Sequence, residues 1–247
     1  MTHPAFARID HRPWPLPDSP WIMSQVWHDL VFLHWPLPPD ALSRLVPSGL
    51  ELDLFEGQAW LGITPFWMSG VKLRGLPAVP GLSTFPELNV RTYVTREGRP
   101  GVWFLSLDAT NPFAVRAARF LYHLPYVDAR IEIRSAGDAI RYQLQRPSGV
   151  RFEAEYEAAG AVQYASPGSL QHWLTERYCL YARSREGALY RADIHHVPWP
   201  LQPARAEILR SDLSAAHGIE LRAPPADIRY SKRLDVVIWT PVQVTRG

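Results

Sequence analysis

Cysteine is almost absent from the chain. Cys179 stands alone, which excludes an internal disulfide framework and any multi-thiol metal site; in RYCLYAR it reads as a small buried hydrophobe. Lysine is nearly missing too. Lys72 and Lys232 are the only two, so arginine carries the positive charge. No stretch approaches the roughly 20 apolar residues of a membrane-spanning helix. The start, MTHPAFARIDHRPWP, lacks the basic stretch and apolar run of a secretory signal. These absences lead to the expectation of a soluble cytoplasmic protein with no membrane association. A glycine-rich phosphate loop ending in Gly-Lys-Ser/Thr, a GxSxG elbow and an HExxH pair are also absent, which removes several enzyme classes without establishing another.

Charge of one sign is not concentrated anywhere. The formal net charge is +2, and acids interleave with arginines in RIEIR and RFEAEYE, the pattern of a solvated sheet face. Nucleic-acid binding calls for a concentrated basic footprint, so no nucleic-acid partner is expected. Single arginines can still pair with a small anion, because the guanidinium fork matches a carboxylate or phosphate.

What is present is alternation and punctuation. The 247 residues, 47% hydrophobic, read as one mainly β domain with a few short helices. Residues 1–20 form a proline-rich N-terminal arm, and residues 69–86, SGVKLRGLPAVPGLSTFP, form a long loop or lid. SQVWHDLVFLHW reads as a strand, PPDALSRLV as a short helix, and ELNVRTYVTREGRPGVWFLSLDA as a hairpin turning at Glu97-Gly98. NPFAVRAARFLYHLPY reads as a helix capped by Asn111. Three strands follow, in which Ile131 and Ile133, then Ile140, Tyr142 and Leu144, then Phe152, Ala154 and Tyr156 alternate with charged or polar residues. That makes a meander with one solvent face. GSLQHWLTERY reads as a helix from Ser169, RYCLYARSREGALYRADIHH as a hairpin, LQPARAEILRSDLSAAHG as a helix with Pro203 near its start, and DVVIWTPVQV as the last strand. So many hairpins predict an antiparallel sheet, closed or folded over to protect its edges.

The segment FPELNVRTYV carries the most unusual chemistry. As a strand it places Glu87, Asn89, Arg91 and Tyr93 on one face. An acid, an amide, a guanidinium and a phenol together suit a polar ligand; the competing reading is an outward face with ordinary ion pairs. Asp108, Asn111, Arg116 and Arg119 form a second cluster, in which Arg116 and Arg119 are close enough on a helix to clamp a carboxylate or simply to line a solvated face. His195 and His196 point to opposite faces of a strand, so they do not make one metal site. Asp193 and His195 share a face, which allows an acid–base role for His195 beside a structural one; His34 and His123 are weaker candidates. No metal site is assigned, and no cofactor is compelled.

The motifs WIMSQVWHDLVFLHWPLP, LVPSGLELDLFEGQAWLGITPF, FPELNVRTYV, GVWFLSLDA, GSLQHWLTERYCLYAR and IHHVPWPLQPA, spread over residues 20–240, resemble a bacterial family of unknown function, domain-of-unknown-function family 2071. That family looks related to acetoacetate decarboxylase. The resemblance implies a closed antiparallel β-barrel or cone around a polar cavity, with Glu87 as one cavity acid. The chemistry departs from it. The decarboxylase forms a Schiff base through a lysine beside a second lysine, and this chain has no adjacent lysine pair. Arginine stays charged and cannot act as that nucleophile. Acetoacetate decarboxylation is therefore expected to be absent.

The expectation is a small-molecule-binding β-barrel, with enzyme activity not decided, acting on a carboxylated or carbonyl compound. Glu87 and His195 are the acid–base candidates; Asn89, Arg91, Arg116 and Arg119 are the ligand-binding candidates. The alternative is a noncatalytic ligand-binding or protein-interaction domain. A homo-oligomer is left open.

Overall fold

The computed structural model describes residues 3–110 and 122–244. In chain order its strands are β1 (Met23–Leu37), β2 (Glu51–Leu52), β3 (Ala59–Leu73), β4 (Phe85–Arg96), β5 (Arg99–Ala109), β6 (Tyr126–Asp128), β7 (Arg130–Ala136), β8 (Ala139–Gln145), β9 (Arg151–Ala158), β10 (Cys179–Arg183), β11 (Leu189–His195), β12 (Gln202–Ser211), β13 (Asp227–Ile238) and β14 (Val242–Gln243). Among the described residues, α1 (Pro39–Ser43) and α2 (Leu170–Thr175) are short α-helices. No helix among the described residues is long and apolar enough to cross a membrane.

The fold is mainly β, but the closed antiparallel barrel or cone is not what forms. Strands run in the order β11-β10-β5-β4-β3-β1-β13, and β13 meets β11 again, making a ring. The ring is mixed: β5 runs parallel to both β10 and β6. It is also uneven. β1 and β13 pair from Met23↔Ile238 to His34↔Asp227, whereas β11 meets β13 only at Ile194↔Ile238 and His195↔Val237. The reason lies in chain order. Hairpin signals report pairing between sequence neighbours; here the chain leaves β5, builds β7, β8 and β9, and returns along β10 in the direction of β5.

The hairpin between β4 and β5 turns where the alternation breaks. Glu97 and Gly98 both take positive φ, 52° and 70°, as a type I′ turn requires. The expected meander is β7, β8 and β9, continued by β12 to β13. Its apolar face, including Tyr142, Phe152 and Tyr156, packs on Val31, Leu33, Ile63, Leu88 and Val90 from β1, β3 and β4. Those strands are thus covered on one side by the meander. Their other side contributes Phe32, Phe66 and Phe85 to a second apolar cluster with Trp199 and Ile238.

Two readings change. Gln202–Ser211 is strand β12 and not a helix: Arg205 and Glu207 pair opposite Glu157 and Glu155 of β9, and a 3-10 turn at Ala215–His217 follows. Alternation at Ala204, Ala206 and Ile208 wins because β9 offers an edge that needs a partner. Strand β3 runs on to Leu73, so the irregular connection spans 74–84. The helix expected from Asn111, with Arg116 and Arg119, lies outside the described residues. The helix read from Ser169 is α2, and the Ser169 side chain accepts from His172 N at 3.2 Å as an N-cap.

The segment before β1 straps the thin β11–β13 seam. Arg12 donates to the Ile194 carbonyl at 2.5 Å, and Trp14 Nε1 donates to Asp193 at 3.1 Å. Phe6 stacks on His195 with ring centres 5.3 Å apart.

Candidate functional site

A cavity of about 110 Å³ opens inside the ring. Residue parity on β4 decides what faces it. Glu87, Asn89 and Arg91 line the cavity, whereas Leu88 and Val90 face the meander. A bulge helps. Val90 sits opposite Ser106 but Arg91 opposite Phe104, so Leu105 of β5 is the extra residue. Phe104 and Leu107, three residues apart, consequently both line the cavity.

Glu87 is 4% exposed and accepts a hydrogen bond from the Tyr126 hydroxyl at 2.8 Å. Burial pushes its carboxyl up to about 8, with the nearby Asp108 adding to the rise and Tyr126 opposing it. Glu87 is therefore mostly a neutral acid at pH 7. Arg91, four residues along the strand and about 13 Å away by strand rise, forms no ion pair with a carboxylate among the described residues. Its guanidinium lies over the Phe32 and Tyr93 rings, 5.1 and 5.7 Å from their centres. Arg177, just beyond α2, adds a second guanidinium to the lining. It bonds Asp53 at 2.5 Å and the Trp173 carbonyl at 2.6 Å, and lies 4.3 Å from the Trp173 ring.

The polar inventory is lopsided. Buried atoms of cavity-lining residues that lack a partner among the described residues are Arg91 Nε, Arg177 Nη2, Trp199 Nε1, the Tyr122 hydroxyl and Asn89 Oδ1. The first three can only donate, Tyr122 can do either, and Asn89 Oδ1 accepts. Near neutral pH the two guanidiniums face one paired carboxylate, Asp53, so an acceptor-rich anion suits this wall. Apolar side chains such as Trp27, Phe66 and Leu174 fill much of the remaining lining.

Other candidates sit elsewhere. His195 is not part of the lining; it is wedged between Phe6 and His11, and burial together with Arg12 takes its imidazole down to about 3. His196, its neighbour on the opposite face, does line the cavity and lies 2.7 Å from the Val197 carbonyl through Nδ1. Asp108 is engaged by Arg146 at 2.5 and 2.7 Å. His123 lies tilted against Tyr190, with ring centres 4.7 Å apart. Lys72 is exposed near the end of β3, and Lys232 bonds Asp29 at 2.6 Å from a largely exposed position. Neither lysine lines the cavity. Sequence reasoning missed Arg177, Tyr126, Tyr122 and Trp199. Arg177 follows an ordinary helix, Tyr126 opens the three-residue β6 and Trp199 sits in an irregular stretch, all too short for periodicity to mark them. His196 was within reach, because the strand rule that separates it from His195 offers the choice without deciding it.

Comparison with known proteins agrees with this architecture. The solved structure of the enduracididine biosynthesis enzyme MppR complexed with pyruvate is similar at a TM-score of 0.64 and 14% identity, covering 92% of this chain and 91% of that one. An acetoacetate decarboxylase from Legionella pneumophila is similar at a TM-score of 0.61 and 14% identity, covering 96% and 93%. These likenesses are of fold alone. The uncharacterized protein YqjF of Bacillus subtilis is 45% identical over 234 residues, 94% of this chain and 96% of that protein. The model of the uncharacterized conserved protein family DUF2071 matches residues 24–235. The chain belongs to the DUF2071 family.

Proposed function

We propose that the cavity binds a small carboxylated carbonyl compound, with the carboxylate at Arg91 and the carbonyl end toward Glu87, and that Glu87 acts on it as general acid or base. The observation that carries this reading is the excess of unpartnered buried donors on a wall that also holds a carboxyl poised near neutral pH. A guanidinium binds a carboxylate with two parallel hydrogen bonds. An acid with a pKa near the working pH can both give and take a proton. Asn89, between the two on the same strand face, orients the middle of the ligand. Schiff-base chemistry has no amine here, since both lysines lie off the lining. The pyruvate held by MppR is a ligand of this size and class.

Titration with pyruvate by calorimetry and NMR is the first test. Arg91→Ala is expected to weaken binding at least about tenfold, the scale of one charge-assisted hydrogen bond. Glu87→Gln should keep the affinity and lose turnover of any carbonyl substrate that the unaltered protein converts. Binding that survives Arg91→Ala unchanged would remove the proposed orientation. Retained binding with no turnover of a panel of 2-oxo and 3-oxo acids would favour a noncatalytic ligand-binding protein.

A further inference from the structure

Four adjacent strands place one rung of residues beside the cavity. Asp227 of β13 is the register partner of His34 of β1, His34 of Gly62 of β3, and Gly62 of Arg91 of β4. Directly opposed residues project from the same face of a sheet. The rung therefore reads carboxylate, imidazole, gap, guanidinium. The gap is filled from the side by Tyr93, two residues beyond Arg91 on the same face, whose hydroxyl lies 2.7 Å from His34 Nε2.

Each group is buried: His34 and Tyr93 are fully so, and Asp227 is 5% exposed. Asp227 Oδ2 lies 3.8 Å from His34 Nδ1, while its other oxygen accepts from Gln171 and Arg229, each at 3.0 Å. A neutral imidazole next to that carboxylate keeps its proton on Nδ1, so Nε2 accepts and the Tyr93 hydroxyl donates. The phenol oxygen is left with lone pairs for Arg91, whose guanidinium lies 5.7 Å from the Tyr93 ring centre and works against the burial that raises the phenol. Burial and the Arg91 charge hold His34 down to about 4, consistent with that neutral form. Gly62 makes the arrangement possible. A Cβ there would meet Arg91 Cγ and His34 Cδ2, each at 3.2 Å.

We propose that Tyr93, oriented by the buried His34–Asp227 pair, is the positioning residue that aims the Arg91 guanidinium into the cavity, and that Gly62 supplies the space for it. The inference rests on the reading of Arg91 as the carboxylate-binding residue. Its physical basis is that a lone arginine has several rotamers; a fixed phenol acceptor selects one before ligand arrives and lowers the ordering cost of binding.

The test reads Arg91 directly by NMR of protein labelled with 15N-arginine, its side-chain signals assigned by their loss in Arg91→Lys. Tyr93→Phe is expected to shift the Arg91 Nε signal, speed its proton exchange and weaken pyruvate binding, the latter two each about tenfold. Gly62→Ala should move the same signal. His34→Gln, which keeps an acceptor for Tyr93 and a donor for Asp227, should restore near-wild-type spectra; His34→Leu should not. Tyr181→Phe, whose hydroxyl donates to the Arg99 carbonyl at 2.9 Å, is the silent control. Unchanged Arg91 signals in Tyr93→Phe, or equal spectra for His34→Gln and His34→Leu, overturn the proposal. If Tyr93→Phe does not fold, the His34 pair decides. If pyruvate fails to bind the unaltered protein, the ligand reading loses support while the Arg91 signals still report on positioning.

Discussion

Replacing Glu87 with glutamine is expected to raise the melting temperature at pH 8 by on the order of 10 °C, and to have almost no effect near pH 4. Unfolded, the carboxyl titrates near its ordinary 4.5; folded, burial holds it up to about 8. Between those values the unfolded chain has released a proton that the folded chain keeps. Stability from this group is complete below pH 4.5 and falls as pH rises through 8, by up to about 1.4 kcal/mol per pH unit. Glutamine keeps the size of the side chain and an oxygen for Tyr126, yet cannot ionise. Thermal melts of both proteins from pH 4 to 9 measure the difference. Parallel curves would mean that Glu87 titrates normally, and the proposed proton chemistry would lose its basis. Asp108 also has a raised carboxyl, through burial, so some decline with pH persists in the variant.

Arg146→Met should cost about 3–5 kcal/mol, because it strands a fully buried carboxylate. Arg146 holds both Asp108 oxygens and also donates to Ser106 at 2.8 Å. This pair ties β5 to the end of β8, where the meander meets the ring. The double variant Arg146→Met, Asp108→Leu is expected to recover much of that loss, since the desolvation cost of both charges disappears with them. Urea unfolding of the three proteins tests it. A single variant within about 1 kcal/mol of the unaltered protein would show that water reaches Asp108. Neither residue lines the cavity, yet Asp108 adds to the rise of the Glu87 carboxyl, so the double variant should also bring Glu87 down.

The two arginine systems differ in a way that bears on function. Arg146 is spent on an internal carboxylate and holds layers together. Arg91 has no such partner among the described residues and faces a cavity. Composition alone does not separate them, since both lie in strand-rich stretches with polar neighbours. The ring supplies the distinction: Asp108 and Arg146 meet across β5 and the β8–β9 turn, whereas Arg91 looks across the interior.

Local pattern carried a good deal of this molecule. Alternation in FPELNVRTYV was enough to put Glu87, Asn89 and Arg91 on one face, because a strand's side chains have a period of two whatever surrounds it. The Glu97-Gly98 turn, the one-sided meander and the want of a paired lysine were legible for equally local reasons. Tertiary structure alone decided which face of β4 meets the cavity. Both faces are buried, one by the meander and one by the ring interior, so polarity offered no vote. It also decided that β5 has parallel neighbours, that His195 lies under the N-terminal strap while His196 lines the cavity, and that Arg177 joins Arg91. Those outcomes depend on strands remote in sequence finding one another, and no short window of residues encodes a partner that far away.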